Sequence, residues 1–221
     1  MITLHKQGFN CLTDYALEKI NSLNPNRFKQ FFNNLPADPY LKGNYRFRRL
    51  SNFKVSAKNL VQLPHSRLFQ SKAYNPILGD VVREYQELEQ ELIQLQDFHN
   101  LVFEFFDFCQ LCSPANQIAV HQIRTTTSDL QIGNPAPEGI HRDGVDLVAI
   151  FCVDRENIEG GLTCLYKEKN GSPVFQQILN PGELLVFDDR QFFHFTSPIH
   201  VTKHGRGTRD VFVMTCPGLI A

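Results

Sequence analysis

After Cys112-Ser113-Pro114 the hydrophobic period of this 221-residue chain changes from helical to alternating, and that switch constrains the fold more than any other feature. Short β-branched and aromatic runs then recur at residues 118–127, 147–153, 162–166, 174–179, 183–187, 193–199 and 209–216. Turn-forming pieces separate them: Gly133-Asn134-Pro135, Glu159-Gly160-Gly161, Asn170-Gly171-Ser172-Pro173, Asn180-Pro181-Gly182 and His204-Gly205-Arg206-Gly207. Seven or eight short strands following helices predict one α+β domain over 1–221, a jelly-roll-like β-sandwich buttressed by N-terminal helices. In that reading residues 1–112 are mainly helical support and 113–221 the β core.

Upstream of the switch, Leu12, Tyr15, Ala16, Ile20 and Leu23 recur at helical spacing, with Thr13 and Asp14 to cap the start, which predicts a helical element from 12 to about 32. Residues 41–79 contain no acid but eight cations: Lys42, Arg46, Arg48, Arg49, Lys54, Lys58, Arg67 and Lys72. The next segment reverses the sign with Asp80, Glu84, Glu87, Glu89, Glu91, Asp97, Glu104 and Asp107 against Arg83. Its apolar pattern (Val81, Val82, Tyr85, Leu88, Leu92, Leu95, Phe98, Leu101, Phe105) predicts one or two amphipathic helices. The two segments are expected to face and neutralise each other, with some arginines turned inward to hold a small carboxylate.

Across the chain 22 Lys+Arg balance 23 Asp+Glu, so no global field draws it to nucleic acid or to an anionic membrane. No apolar run approaches the ~20 residues of a spanning helix, and the first residues lack the basic start and apolar stretch of an export signal. The expectation is a cytoplasmic protein whose six cysteines are buried thiols; Cys109-x-x-Cys112 lacks the second pair of a zinc knuckle.

Among eight histidines, His141 alone has a carboxylate two residues later, Asp143. Residues i and i+2 of an extended chain project from one face, so both can reach one ion. A second imidazole is expected from His194, in a late apolar strand 53 residues on, with His200 as the local alternative. Two histidines and one carboxylate with the opposite positions open form the facial triad of non-haem Fe(II) oxygenases. Arg209 opens the last apolar strand and is suited to grip a carboxylate through two parallel hydrogen bonds; Arg206, between two glycines, is its alternative. Alternation along 118–124 places Val120, Gln122 and Arg124 on one face, a candidate inner face on which Gln122 orients a co-substrate or Arg124 holds a substrate carboxylate. Gly160-Gly161 reads as a hairpin turn.

In this order, His141-Arg142-Asp143-Gly144-Val145-Asp146, Gly160-Gly161, residues 181–189, His194-Phe195-Thr196-Ser197-Pro198-Ile199 and Arg209-Asp210-Val211-Phe212 resemble the 2-oxoglutarate/Fe(II) dioxygenases typified by bacterial L-isoleucine hydroxylase. Residues 74–85 resemble that family too, so the likeness runs from about 40 to 216. The resemblance implies a double-stranded β-helix (jelly-roll, cupin-like), iron held by His141, Asp143 and His194, and 2-oxoglutarate anchored by Arg209. It implies O2-dependent hydroxylation of a free aliphatic L-amino acid with release of succinate and CO2. A zwitterionic substrate also needs an acceptor for its ammonium, for which Asp146 is a candidate, while Arg124 and the arginines of 45–49 are candidate cations. Two other functions remain open at this point: a non-catalytic jelly-roll sensor, and an oxygenase acting on protein or nucleic acid.

Overall fold

The computed structural model describes residues 14–56 and 59–218, whose regular structure is strand far more than helix. Seven strands form one antiparallel sheet. In chain order its members are β1 (Tyr15–Lys19), β2 (Arg46–Val55), β3 (Leu60–Gln62), β4 (Gln117–Ser128), β5 (Leu147–Glu156), β9 (Glu183–Asp188) and β12 (Arg206–Cys216). Their spatial order is β1-β9-β5-β12-β4-β2-β3, so the last strand lies in the middle. A smaller sheet, β10-β7-β8, is built from β7 (Leu162–Tyr166), β8 (Phe175–Ile178) and β10 (Phe193–Thr196); β6 (Ile158–Gly160) pairs with β11 (Ile199–Val201).

The period-2 alternation sends the strands β5, β9 and β12 to two different cores. On β12, Phe212, Met214 and Cys216 join Phe151 of β5 and Val186 of β9 in the larger core. The helix α2 (Gln96–Cys112) packs there through Phe98, Leu101, Val102, Phe105 and Phe108, preceded by the single turn α1 (Gln90–Ile93). The opposite face carries Val148, Ile150 and Cys152 of β5, Leu185 and Phe187 of β9 and Val211 of β12 against Leu165 and Phe192. The site opens on this second face.

Several expectations change. Within the described part of 12–32 there is no α-helix: Tyr15–Lys19 is an edge strand on β9, followed by 3-10 turns at Pro25–Arg27 and Lys29–Phe32. Leu12 and Thr13, the start and cap of the expected helix, lie outside the described residues. Asn24 caps the first 3-10 turn and Pro25 occupies its first position, where a longer helix running through from residue 12 would lose a backbone donor. The basic stretch holds β2, a ten-residue strand of the main sheet, and residues 81–88 are not helical. Charge complementarity between the two segments is real at Arg49–Glu89 (3.5 Å) and Arg67–Glu84 (3.6 Å), and His65 Nε2 lies 3.2 Å from Glu84 Oε1. The expected strand at 193–199 divides at Ser197-Pro198 into β10 and β11. Cys109, Cys152, Cys164 and Cys216 are free and buried, whereas Cys112 is disulfide-bonded, so the expectation of thiols throughout fails there. No helix of the described residues is long and apolar enough to cross a membrane.

Candidate active site

His141 and His194 are neighbours through the backbone before they are neighbours through their rings. The His141 N–H donates to the His194 carbonyl (3.1 Å) and the His194 N–H to the His141 carbonyl (2.8 Å), an isolated β-bridge that joins the loop after β4 to β10. The ring centroids are 4.2 Å apart. Asp143 stands between them, with Oδ1 3.8 Å from His141 Nε2 and Oδ2 3.7 Å from His194 Nε2. Bonds of ~2.0–2.2 Å from a first-row cation to nitrogen or oxygen span such separations. Among the described residues these three are the group whose donor atoms converge for a metal ion.

The surroundings fit a cation. The His141 Nδ1 lies 2.8 Å from the Gly139 carbonyl, which requires the proton on Nδ1 and leaves the Nε2 lone pair toward Asp143. Burial, then the neighbouring His141, hold the His194 imidazole well below its usual pKa, so it offers a neutral ligand. Asp189 accepts hydrogen bonds from the backbone N–H groups of Asp143 (3.1 Å), Gly144 (2.7 Å) and Val145 (3.2 Å), fixing the turn that aims Asp143. Burial, reinforced by Asp143, raises the Asp189 carboxyl to about 7 against the pull of those three donors. Gln70 Nε2 donates to both the Asp143 carbonyl (3.1 Å) and Oδ1 (3.0 Å). Gly144 has φ +84°, and a Cβ there would meet the Tyr74 ring at 2.7 Å, so the turn needs glycine twice over.

A cavity of about 120 Å³ lies over the triad, floored by Ile123, Ile150, Val211 and Val213. Arg209 enters it from β12, only 4% exposed. Its neighbour Asp210 is on the other face and is taken by Arg124 through two 2.7 Å hydrogen bonds. Arg209 Nη2 therefore has no protein partner. Burial pushes this guanidinium down to about 10; the adjacent Cys152 and Asp210 counteract and Arg155 adds to it. An unpartnered, buried, cavity-lining guanidinium fits the carboxylate of a small acid.

The structure thus brings His141, Asp143, His194 and Arg209 together with Arg46 and Arg48, two of the candidate cations of 45–49, and leaves Gln122, Arg124, Asp146, Arg206 and His200 outside. Residues His121, Ile123 and Thr125 of β4 line the cavity, so the alternation is as expected but its phase is reversed. Gln122 is buried on the opposite face and donates to the Phe31 carbonyl at 2.9 Å. Arg124 is spent on Asp210, and Asp146 accepts from Ser113 (2.6 Å) and pairs with Arg190 (3.4 Å) away from the cavity. Arg206 and His200 are exposed, on a strand end and on β11. Not singled out from the sequence as site residues are Gln70, Asn75, Arg83, His121 and Glu138, which also line it, and Asp189, the last residue of the 181–189 run. Gln70 and Glu138 carry no chemical signature on their own, being drawn in by loops.

The profile of the 2OG-Fe dioxygenase family matches residues 29–215. The 3(1)-hydroxy-L-isoleucine 4-dioxygenase of Pantoea ananatis (strain AJ13355) is 23% identical over 195 residues, covering 85% of this chain and 78% of that one. Two solved structures share the architecture. A bsmA homologue from Methylobium petroleophilum PM1 superposes with a TM-score of 0.77 at 28% identity over 86% of this chain and 79% of that one. IDO from Bacillus thuringiensis gives 0.69 at 17% identity over 86% and 80%.

Proposed function

The chain belongs to the 2OG-Fe dioxygenase family and is an Fe(II)- and 2-oxoglutarate-dependent oxidoreductase using O2, and from that premise we propose that it hydroxylates a free aliphatic L-amino acid, releasing succinate and CO2. We further read the architecture as a single-domain double-stranded β-helix, the shorter sheet facing the long one across the cavity.

In this reading His141, Asp143 and His194 hold the iron and Arg209 receives the distal carboxylate of 2-oxoglutarate. The carrying observation is Arg209 itself: it is buried in the cavity beside the triad and its Nη2 lacks a protein partner, its neighbour Asp210 lying on the opposite face of β12 with Arg124. When bound, iron with 2-oxoglutarate supplies the oxidising chemistry that breaks an unactivated C–H bond. The protein's own part is positional. Gln70 and Asp189 hold Asp143, the Gly139 carbonyl fixes the His141 tautomer, and the aliphatic floor excludes water and accepts an apolar side chain. The named activity of the Pantoea relative supports an amino-acid substrate.

The test is an anaerobic titration with Fe(II) and 2-oxoglutarate, followed by an aerobic panel of isoleucine, leucine and methionine scored for succinate and for a product heavier by one oxygen. Succinate coupled to an oxygenated amino acid is expected. Product from a peptide or nucleobase, and from no free amino acid, would overturn the substrate class while leaving the iron chemistry in place.

A further inference from the structure

The cavity has a second cationic pole that the metal and co-substrate do not use. Arg46 and Arg48 enter it from β2, and Arg83 from the strap 68–83, whose ends exchange backbone hydrogen bonds at Leu68 and Arg83 (2.7 and 2.9 Å). These guanidiniums are 5%, 6% and 2% exposed, and Arg46 Nη2, Arg48 Nε and Arg83 Nε have no hydrogen-bond partner. Arg46 and Arg209 both lie opposite Thr125 of β4, on its two sides. Two strand spacings of ~4.8 Å put their backbones roughly 10 Å apart, so each pole takes its own anion.

The charges facing this pole leave a surplus. Three arginines meet two carboxylates, Asp38 (3.0 Å from Arg46, 3.9 Å from Arg48) and Glu138 (3.7 Å from Arg46). His121, hydrogen-bonded to Arg48, adds no charge, because burial and the three arginines hold it well below its usual pKa. Arg83 also donates to Gln70 Oε1 (3.1 Å), the same amide that steadies Asp143, which ties this pole to the metal ligand. Asp38 is buried behind Arg46 and caps the Tyr40 N–H (3.0 Å), so it is a structural counter-ion. Glu138 differs. It lines the cavity, its Oε1 receives Asn75 (3.4 Å), and its Oε2 has no partner among the described residues.

We propose that this pole is the head-group site of the substrate: Arg46, Arg48 and Arg83 receive its α-carboxylate and Glu138 its α-ammonium. The pairing demands both groups free on one carbon, so it selects an unmodified α-amino acid over a peptide, an amide or a plain carboxylic acid. It keeps Arg46 and Arg48 of the candidate cations of 45–49, and puts Arg83 and Glu138 where Arg124 and Asp146 were expected. The inference rests on the amino-acid reading above.

Calorimetry on the metal-free protein and on protein loaded with Fe(II) and 2-oxoglutarate without O2 tests it. The probes are L-isoleucine, L-leucine and L-methionine, then the amide and the deamino acid of whichever binds. The wild type should bind the amino acid at least tenfold more tightly than either analogue, since each lost group forfeits a charge-assisted hydrogen bond. In Glu138→Gln the preference for the amino acid over its deamino acid should collapse to under threefold, with 2-oxoglutarate affinity unchanged. In Arg48→Met the preference over the amide should collapse instead. An amino acid that binds the wild type no better than its analogues, or variants that keep wild-type preferences, would overturn the head-group assignment alone. So would variants that lose 2-oxoglutarate instead, which would give the pole to the co-substrate. Binding of no amino acid by a protein that still makes succinate would overturn the substrate class with it.

Discussion

Replacing Arg209 with methionine should have opposite effects on stability and on co-substrate binding. The guanidinium is 4% exposed and its pKa is pushed down to about 10 from an ordinary value above ~12. A base whose pKa is lowered by folding costs stability wherever it is charged. That cost is full at all pH below about 10 and is relieved only as pH rises from there toward the ordinary value. At ~1.4 kcal/mol per tenfold change in proton affinity, the cost is at most about 3 kcal/mol. Methionine keeps the aliphatic stem against the cavity wall and removes the charge. With incomplete recovery, Arg209→Met in the absence of ligand should be about 1–3 kcal/mol more stable, raising Tm by several degrees at ~2–4 °C per kcal/mol for this size.

In the wild type, 2-oxoglutarate at 100 times its Kd should add about 2.7 kcal/mol by mass action. In Arg209→Met that increment should vanish at the same concentration, while the Tm increment from Fe(II) alone persists. Paired thermal melts of both proteins, with and without 2-oxoglutarate, read both quantities. A variant that melts lower than wild type without ligand and is still stabilised equally by 2-oxoglutarate would refute the reasoning, showing that Arg209 serves the fold rather than the co-substrate.

His141→Ala, Asp143→Ala and His194→Ala should each abolish iron-dependent turnover and leave the cooperative melt in place, whereas His200→Ala should change neither; calorimetry with Fe(II) and circular dichroism separate the two. Asp189→Asn should weaken iron about 10–100-fold, measured by competition with a chelator, because an amide cannot accept all three N–H groups of 143–145. Arg124→Ala should leave amino-acid and 2-oxoglutarate binding unchanged but destabilise the fold by about 3–5 kcal/mol in urea, since Asp210 would be left buried without its partner.

The order of the chemical groups was legible without coordinates. His141-x-Asp143, an imidazole 53 residues later and an arginine in the last apolar run are one-dimensional facts, and the turn residues at 180–182 fall where the chain turns from β8 into β9. Gly160-Gly161, expected as a hairpin turn, instead lies where β6 runs on into β7, the two facing β11 and β10 in one continuous register. What the alternation could not say is which phase faces the cavity. On β4 residues of both phases are buried, because one face meets the larger core and the other lines the site, so a period of two names two faces without choosing between them. Helical spacing at 15–23 likewise yielded to a strand, because the open edge of β9 supplies backbone partners that five local residues cannot match alone. That some arginines of 45–49 turn inward was expected, but not which, since burial of a cation is disfavoured unless partners are brought from elsewhere. Only the tertiary structure brings Asp38, Glu138 and the strap 68–83 around Arg46 and Arg48, and sets Arg124 with Asp210 on one face of the sheet while Arg209 faces the cavity on the other.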